Sequence, residues 1–180
     1  MSNKQASGIH IAISGKSGCG NTTVSRILAE RLNLNLVNYT FRSIAEEDGI
    51  SFGEVCRLAE KDYSYDRRVD ENQVKLALQG PSVLGSRLAI WMLKEAHLKV
   101  FLAGSPEVRA ERITRREGGS IREQMEITLK RDQRDHKRYV KLYGIDNNNY
   151  AFADLIINTD RLNAQQVAGI IEAAARGIME

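Results

Sequence analysis

The 180-residue chain predicts an α/β fold, a mainly parallel sheet with helices on both faces. Three observations carry this expectation. Five short, mostly apolar runs, at 9–14, 34–39, 82–84, 98–104 and 153–159, have strand length, and stretches of helical periodicity separate them. The first run ends in a glycine loop that leads directly into an amphipathic pattern. An apolar content of 42% with 27% charged residues and only two prolines suits one compact domain over residues 1–180.

The elements follow in order. "IHIAIS" (9–14) reads as a buried parallel strand ending at Gly15. Val24, Ile27, Leu28 and Leu32 then recur at helical spacing, and "LNLVNY" (34–39) reads as the second strand. Residues 40 to 80 are polar and helical in pattern, with a capping-box signature at Ser51 and Glu54 and a stop at Gly80-Pro81. They read as a helical insertion between strands. "SVL" and "LKVFLAG" supply two more strands, and "ADLIINT" the fifth. Ser105-Pro106 opens one helix, Ser120 with Glu123 caps another that extends to Tyr143, and Asn163 with Gln166 begins the last. The stripe Val167, Ile170, Ile171 and Ala174 is expected to be the buried face of that last helix.

The glycine loop reads "SGKSGCGNTT". Its spacing is that of the phosphate loop G-x-x-x-x-G-K-[ST], with Asn21 in the place of the lysine. Glycines at 15, 18 and 20 let backbone N–H groups wrap an anion, and the following helix offers its positive N-terminus. Thr22 stands where a hydroxyl ligates Mg2+, and Thr23 adds a second hydroxyl. A dinucleotide-binding fold fits less well, because the glycines run G-x-x-G-x-G. Lys16 has a stem long enough to bend back over the phosphates, or is a solvated surface charge.

Basic residues cluster late in the chain. Residues 107–141 hold eleven Arg/Lys and seven Asp/Glu, an excess of four against a net charge of +3 for the whole protein. A regional excess fits a small anionic ligand rather than nucleic acid, which usually meets a broader basic surface. Arg131, Asp135 and Arg138 share one helical face, suited to a nucleotide or simply to a salt-bridged exposed surface. Arg109, Arg112 and Arg116 share another, followed by Gly118-Gly119 as a hinge, the root of an expected lid at about 116–132.

Other classes are excluded or left without support. Cys19 and Cys56 make no disulfide framework and lack metal-ligand spacing, so both are expected to be reduced thiols. His10, His97 and His136 are scattered, and no guanine-reading N-K-x-D motif occurs. The N-terminus lacks a signal-peptide core and no apolar run is of membrane-spanning length, so a cytoplasmic protein is expected, with disorder confined to its first seven residues.

These residues resemble the cytidylate kinases, especially their short archaeal-type form. The likeness runs from "IAISGKSGCGNTTVSRILAERL" through "FRSIAEE", "SRLAIWM", "LKVFLAGSPEVRAERITRREG" and "KRDQRDHKRYVKLYGID" to "ADLIINT". It implies a P-loop NTPase three-layer sandwich with a five-stranded parallel sheet, an NMP-binding insertion at about 40–80 and a small lid. It also implies Mg2+- and ATP-dependent phosphorylation of CMP and dCMP by a monomer. Carried onto this chain, Gly15, Lys16, Ser17, Gly18, Cys19, Gly20, Asn21, Thr22 and Thr23 form the ATP phosphate loop, with Arg112 and Arg116 near ATP. Arg42 and Arg87 would face the acceptor monophosphate, Arg131 and Arg138 would meet phosphates, and Asp135 the nucleoside.

Two positions depart from the pattern: Asn21 for the loop lysine, and Gly85 where similar kinases usually place an acid. The pair removes one positive and one negative charge from the reaction centre. Lys16 restoring the charge, a nucleotide-binding protein impaired in catalysis, and a kinase of another small metabolite are the three readings this leaves.

Overall fold

The computed structural model describes residues 8–179, so the expected N-terminal disorder lies outside the described residues. Five strands, β1 (His10–Gly15), β2 (Asn35–Val37), β3 (Ser82–Gly85), β4 (Leu98–Ala103) and β5 (Leu155–Asn158), form one sheet in the order β2-β3-β1-β4-β5. Every pairing is parallel. Parallel neighbours require crossovers, and the helical stretches supply them. The second strand is shorter than its apolar run, because only Asn35, Leu36 and Val37 find partners on β3.

Strand alternation divides the core between the two faces. Ile11 and Ile13 of β1 pack with Val24 and Leu28 of α1 (Asn21–Leu32) and with Val167 and Ile171 of the last helix. Ala12 between them faces the other way, with Leu84, Phe101, Ala89 and Ile90. Each of these fully buried branched side chains contributes about 1.5–3 kcal/mol. The last helix, Ala164–Met179, buries Val167, Ala168, Ile171 and Ala175, while Ile170 is exposed. The expected stripe was set one position wide of the true face, because small alanines rather than Ile170 fit against α1.

Between β2 and β3 lie α2 (Phe41–Asp48), α3 (Phe52–Ala59) and α4 (Ser64–Ala77), with their own small core of Tyr39, Ile44, Ala45 and Val55. Ser51 does cap α3, but the Glu54 carboxylate turns to Arg57 instead of closing the box. The single-turn α5 (Ala89–Met92) follows β3. Helix α6 (Pro106–Glu117) runs into the Gly118-Gly119 turn, and α7 (Ile121–Tyr143) leaves it through a reciprocal Ser120–Glu123 box. The region expected to be a lid is thus a hairpin of two helices, and α7 continues unbroken for 23 residues, about 34 Å, back to the core. The final helix is α8.

Candidate functional site

Strand β1 delivers its chain into the loop at the carboxyl edge of the sheet, where open parallel sheets bind ligands. Gly18 and Gly20 have φ of 85° and 99°, which disfavours any side chain. A Cβ on Gly18 would also stand 2.8 Å from the Arg109 carbonyl oxygen. Gly20 occupies the N-cap of α1 and no side chain caps that end. The first-turn N–H groups of α1 are therefore open to an anion, with no acidic residue in that turn to oppose it.

Asn21 does not point outward as a lysine would. Its amide nitrogen donates to the Gly15 carbonyl at 2.6 Å, and its Oδ1 is buried without a partner. Gly85 sits beside it on β3. A Cβ there would lie 2.1 Å from Ser25 Oγ, so Ser25 fills the room an acid would need. The two departures lie side by side: Ser25 and the Asn21 carbonyl, one turn apart on α1, approach Gly85, while the Asn21 side chain turns to Gly15. Cys19 is buried beneath the loop, and burial pushes its thiol up.

Two large cavities open on this edge. The first, about 510 Å³, runs from the loop residues Lys16 to Thr23 to Thr159, Leu162 and Val167, with Arg112, Arg116 and Arg131 along its side. The second, about 780 Å³, lies between the helical insertion and α7. Arg87 and Arg131 line both. Gly15 and Lys16 line a smaller recess next to Arg87 and Asp135.

The predicted residues separate into groups. Arg112 is pinned by donating to Thr159 Oγ1 at 2.9 Å and to the Gly18 carbonyl at 3.3 Å, whereas Arg116 pairs with its neighbour Glu117. Arg87 donates to Ser17 Oγ at 2.8 Å and pairs with Asp135 Oδ2 at 2.8 Å. Arg138 donates to Asp135 Oδ1 at 2.9 Å. Both Asp135 oxygens are thus taken by arginines, which makes this residue a positioner of guanidinium groups rather than a free reader of a nucleoside. Arg42 stands apart, exposed on α2 with its guanidinium 4.4 Å from the Phe52 ring centre, and lines neither cavity.

Other contributors have roles the sequence reading did not give them. Arg109, read with Arg112 and Arg116 as a basic face at the root of the lid, is 3% exposed. It holds Asp132 in a bidentate pair and donates from Nε to the Ser17 carbonyl at 2.7 Å. Its i, i+3, i+7 register with Arg112 and Arg116 was legible, but which of the three faces inward depends on α7. Asp66 and Asp70, spaced i, i+4 on α4, line the second cavity. Their spacing was the available signal.

Asp70 accepts from the Tyr143 hydroxyl at 2.7 Å, and burial pushes its carboxyl up to about 6, with Asp66 and Glu71 adding to the rise and Tyr143 and Arg138 opposing it. A raised carboxyl favours the folded state when protonated. Its contribution is complete below the unfolded value near 3.8 and is lost as pH rises through about 6. Asp70→Asn is therefore expected to gain stability relative to the native protein between pH 4 and pH 7, by up to about 3 kcal/mol. Chemical denaturation of both proteins at the two pH values measures this, and a constant difference refutes it.

A phosphate-wrapping loop, a helix N-terminus free for anions and a second polar cavity joined to it through shared arginines define a P-loop kinase. Solved structures share the fold. The shikimate kinase of Acinetobacter baumannii in complex with shikimate superposes with a TM-score of 0.65 at 20% identity, covering 96% of this chain and 95% of that one. A shikimate kinase from Bacteroides thetaiotaomicron gives 0.63 at 18%, covering 93% and 98%. The sequence profile of the cytidylate kinase-like family matches residues 10–161, and the chain belongs to that family. Cytidylate kinase 2 of Borreliella afzelii is 44% identical over 165 residues, 89% of this chain and 93% of that protein. Cytidylate kinase of Pyrococcus horikoshii is 42% identical over 166 residues, 91% and 86%.

Proposed function

We propose that this protein transfers the γ-phosphoryl group of ATP to CMP or dCMP, giving ADP and CDP or dCDP. The observation that carries the reading is the junction of the two cavities, where Arg87 and Arg131 face both. ATP lies along the first cavity with its phosphates on the loop amides, and the acceptor lies in the second with its phosphate at the junction. An ionised phosphate oxygen of the acceptor attacks the γ-phosphorus, and the bond to the β–γ bridging oxygen breaks. No general base is needed, so catalysis is positioning and charge neutralisation.

The residues present fit a nucleotide that brings its own Mg2+. Thr22 offers a hydroxyl at the cavity edge, and no group of three or more His, Cys, Asp or Glu among the described residues is built to hold a metal. Mg2+ typically keeps several waters and leans on substrate phosphates, and when bound it neutralises charge on the outer phosphates. Lys16, Arg87 and Arg131 supply the positive charge that Asn21 does not, with Arg138 and Asp135 holding Arg87 in place. The insertion at about 40–80 closes on the acceptor and the hairpin at about 116–132 on ATP, with Arg112 and Arg116 beside it. The reading includes a cytoplasmic monomer that binds no nucleic acid. Among the described residues no helix is long and apolar enough to cross a membrane. Relatives named cytidylate kinase at 38–44% identity weigh against the non-catalytic alternative.

The test is incubation of purified protein with Mg-ATP and, separately, CMP, dCMP, UMP and AMP, with nucleotides resolved by chromatography. CDP and dCDP are the expected products. Absence of diphosphate from every acceptor overturns the proposal. Asn21→Lys, run alongside, is expected to change the CDP rate by less than about tenfold, well short of the hundredfold or more that follows loss of an unreplaced charge donor.

A further inference from the structure

The first cavity is charged in one sense only. Lys16, Arg87, Arg112, Arg116 and Arg131 line it, and no Asp or Glu among the described residues does. Arg87 is paired with Asp135 and Arg116 with Glu117, whereas Lys16, Arg112 and Arg131 have no carboxylate partner among the described residues. The uncapped N-terminus of α1 adds to the same positive field.

Phosphate loops commonly hold Mg2+ between a hydroxyl at the start of the helix and an acid on a neighbouring strand. Here Thr22 offers the hydroxyl, but β3 ends in Gly85, where a Cβ would stand 2.1 Å from Ser25 Oγ and 2.8 Å from Ser25 Cβ. Asp132 and Asp135 line the small recess beside Lys16, and their oxygens are taken: Arg109 holds both of the first, and Arg87 and Arg138 hold those of the second. Neither lines the first cavity.

We infer that this cavity binds the metal-free nucleoside triphosphate about as tightly as its Mg2+ complex, and that Gly85 permits this by keeping a carboxylate away from the phosphates. The inference rests on the ATP reading above. A metal-free triphosphate carries roughly two more negative charges than its Mg2+ complex. Where an acid stands at the strand end, it repels that extra charge and the ion relieves the repulsion, so binding follows the metal. Here the extra charge meets Lys16, Arg112 and Arg131 instead. What the cavity turns toward an ion carried by the phosphates is neutral hydroxyl oxygen, Thr22 first, and no protein carboxylate adds to its hold.

The test is calorimetric titration of ATP into the protein at fixed ionic strength, once with excess Mg2+ and once with a chelator and no metal. No acceptor is present, so binding is read rather than turnover. The native protein is expected to give dissociation constants within about tenfold of each other. A larger loss without metal overturns the inference and leaves the ATP reading intact, whereas failure to bind either form overturns both. Because Ser25 blocks an added side chain, the acid is introduced as Gly85→Asp with Ser25→Gly. Ser25→Gly alone and Gly85→Asn with Ser25→Gly are the controls. The Asp variant is expected to weaken metal-free ATP by about tenfold or more relative to the Mg2+ complex, the scale of one like charge near a protein surface. The Asn control matches its size without its charge and should keep the native ratio. An unchanged ratio in the Asp variant, or an equal change in the Asn control, would overturn the role of Gly85. The native comparison decides the binding claim even where the double variants fold poorly.

Discussion

Arg87→Ala is expected to lower kcat/KM for CMP phosphorylation by roughly a hundredfold to a thousandfold, the cost of removing one preorganised donor from a developing charge. Arg87 lines all three recesses of the site, and its guanidinium bridges Ser17 of the loop and Asp135 of α7. In most phosphate loops of this spacing a lysine carries charge at the outer phosphates. Here Asn21 folds back onto Gly15, so charge at the junction must come from outside the usual position. Arg87→Lys keeps the charge but loses the two-pronged geometry and should fall between the native protein and the alanine variant. Steady-state kinetics with CMP varied at saturating Mg-ATP measures this. An alanine variant within about threefold of native, far inside the range for a lost charge donor, would remove Arg87 from the transfer step.

Breaking the Arg109–Asp132 pair is the largest stability effect expected. The two side chains are 3% and 12% exposed, and Asp132→Ala would leave a buried guanidinium without its counter-charge. Loss of one partner of such a pair costs about 3–5 kcal/mol. For a chain of this size that is a fall in melting temperature of roughly 6–20 °C. Arg109 also holds the Ser17 carbonyl, and Gly18 packs on its backbone, so nucleotide affinity should fall with stability. The double variant Arg109→Met with Asp132→Leu removes both charges together and is expected to melt above either single variant. A single Asp132→Ala change costing less than about 1 kcal/mol would place the pair among weak surface bridges instead.

How far the sequence reaches is visible in particular elements. Ser105-Pro106, Ser120 with Glu123, and Asn163 with Gln166 each signal a helix start, and all three caps form as expected. They depend on hydrogen bonds spanning three residues, so local sequence contains everything they need. Ser51 and Glu54 carry the same signal, yet Glu54 prefers the charge of Arg57. The glycine loop was legible for a related reason: a positive φ and a bare helix end are properties of residues 15–23 alone. Arg42 and Arg109 were not legible. Arg42 was assigned to the acceptor phosphate by resemblance and Arg109 to a basic face by register, and each meets a different neighbour: Phe52 across the α2–α3 corner for Arg42, Asp132 on α7 for Arg109.

By itself the sequence determined the parallel α/β architecture, the order of its elements and the phosphate-binding character of the loop, because hydrophobic period, caps and glycine conformation act over a few residues. Only the tertiary structure decided that Arg87 reaches Ser17 and Asp135 and that Ser25 occupies the space beside Gly85. Those outcomes join residues 48 to 70 positions apart. Charged side chains choose among all partners that packing brings within reach, and that choice exists only once the helices have been laid against the sheet.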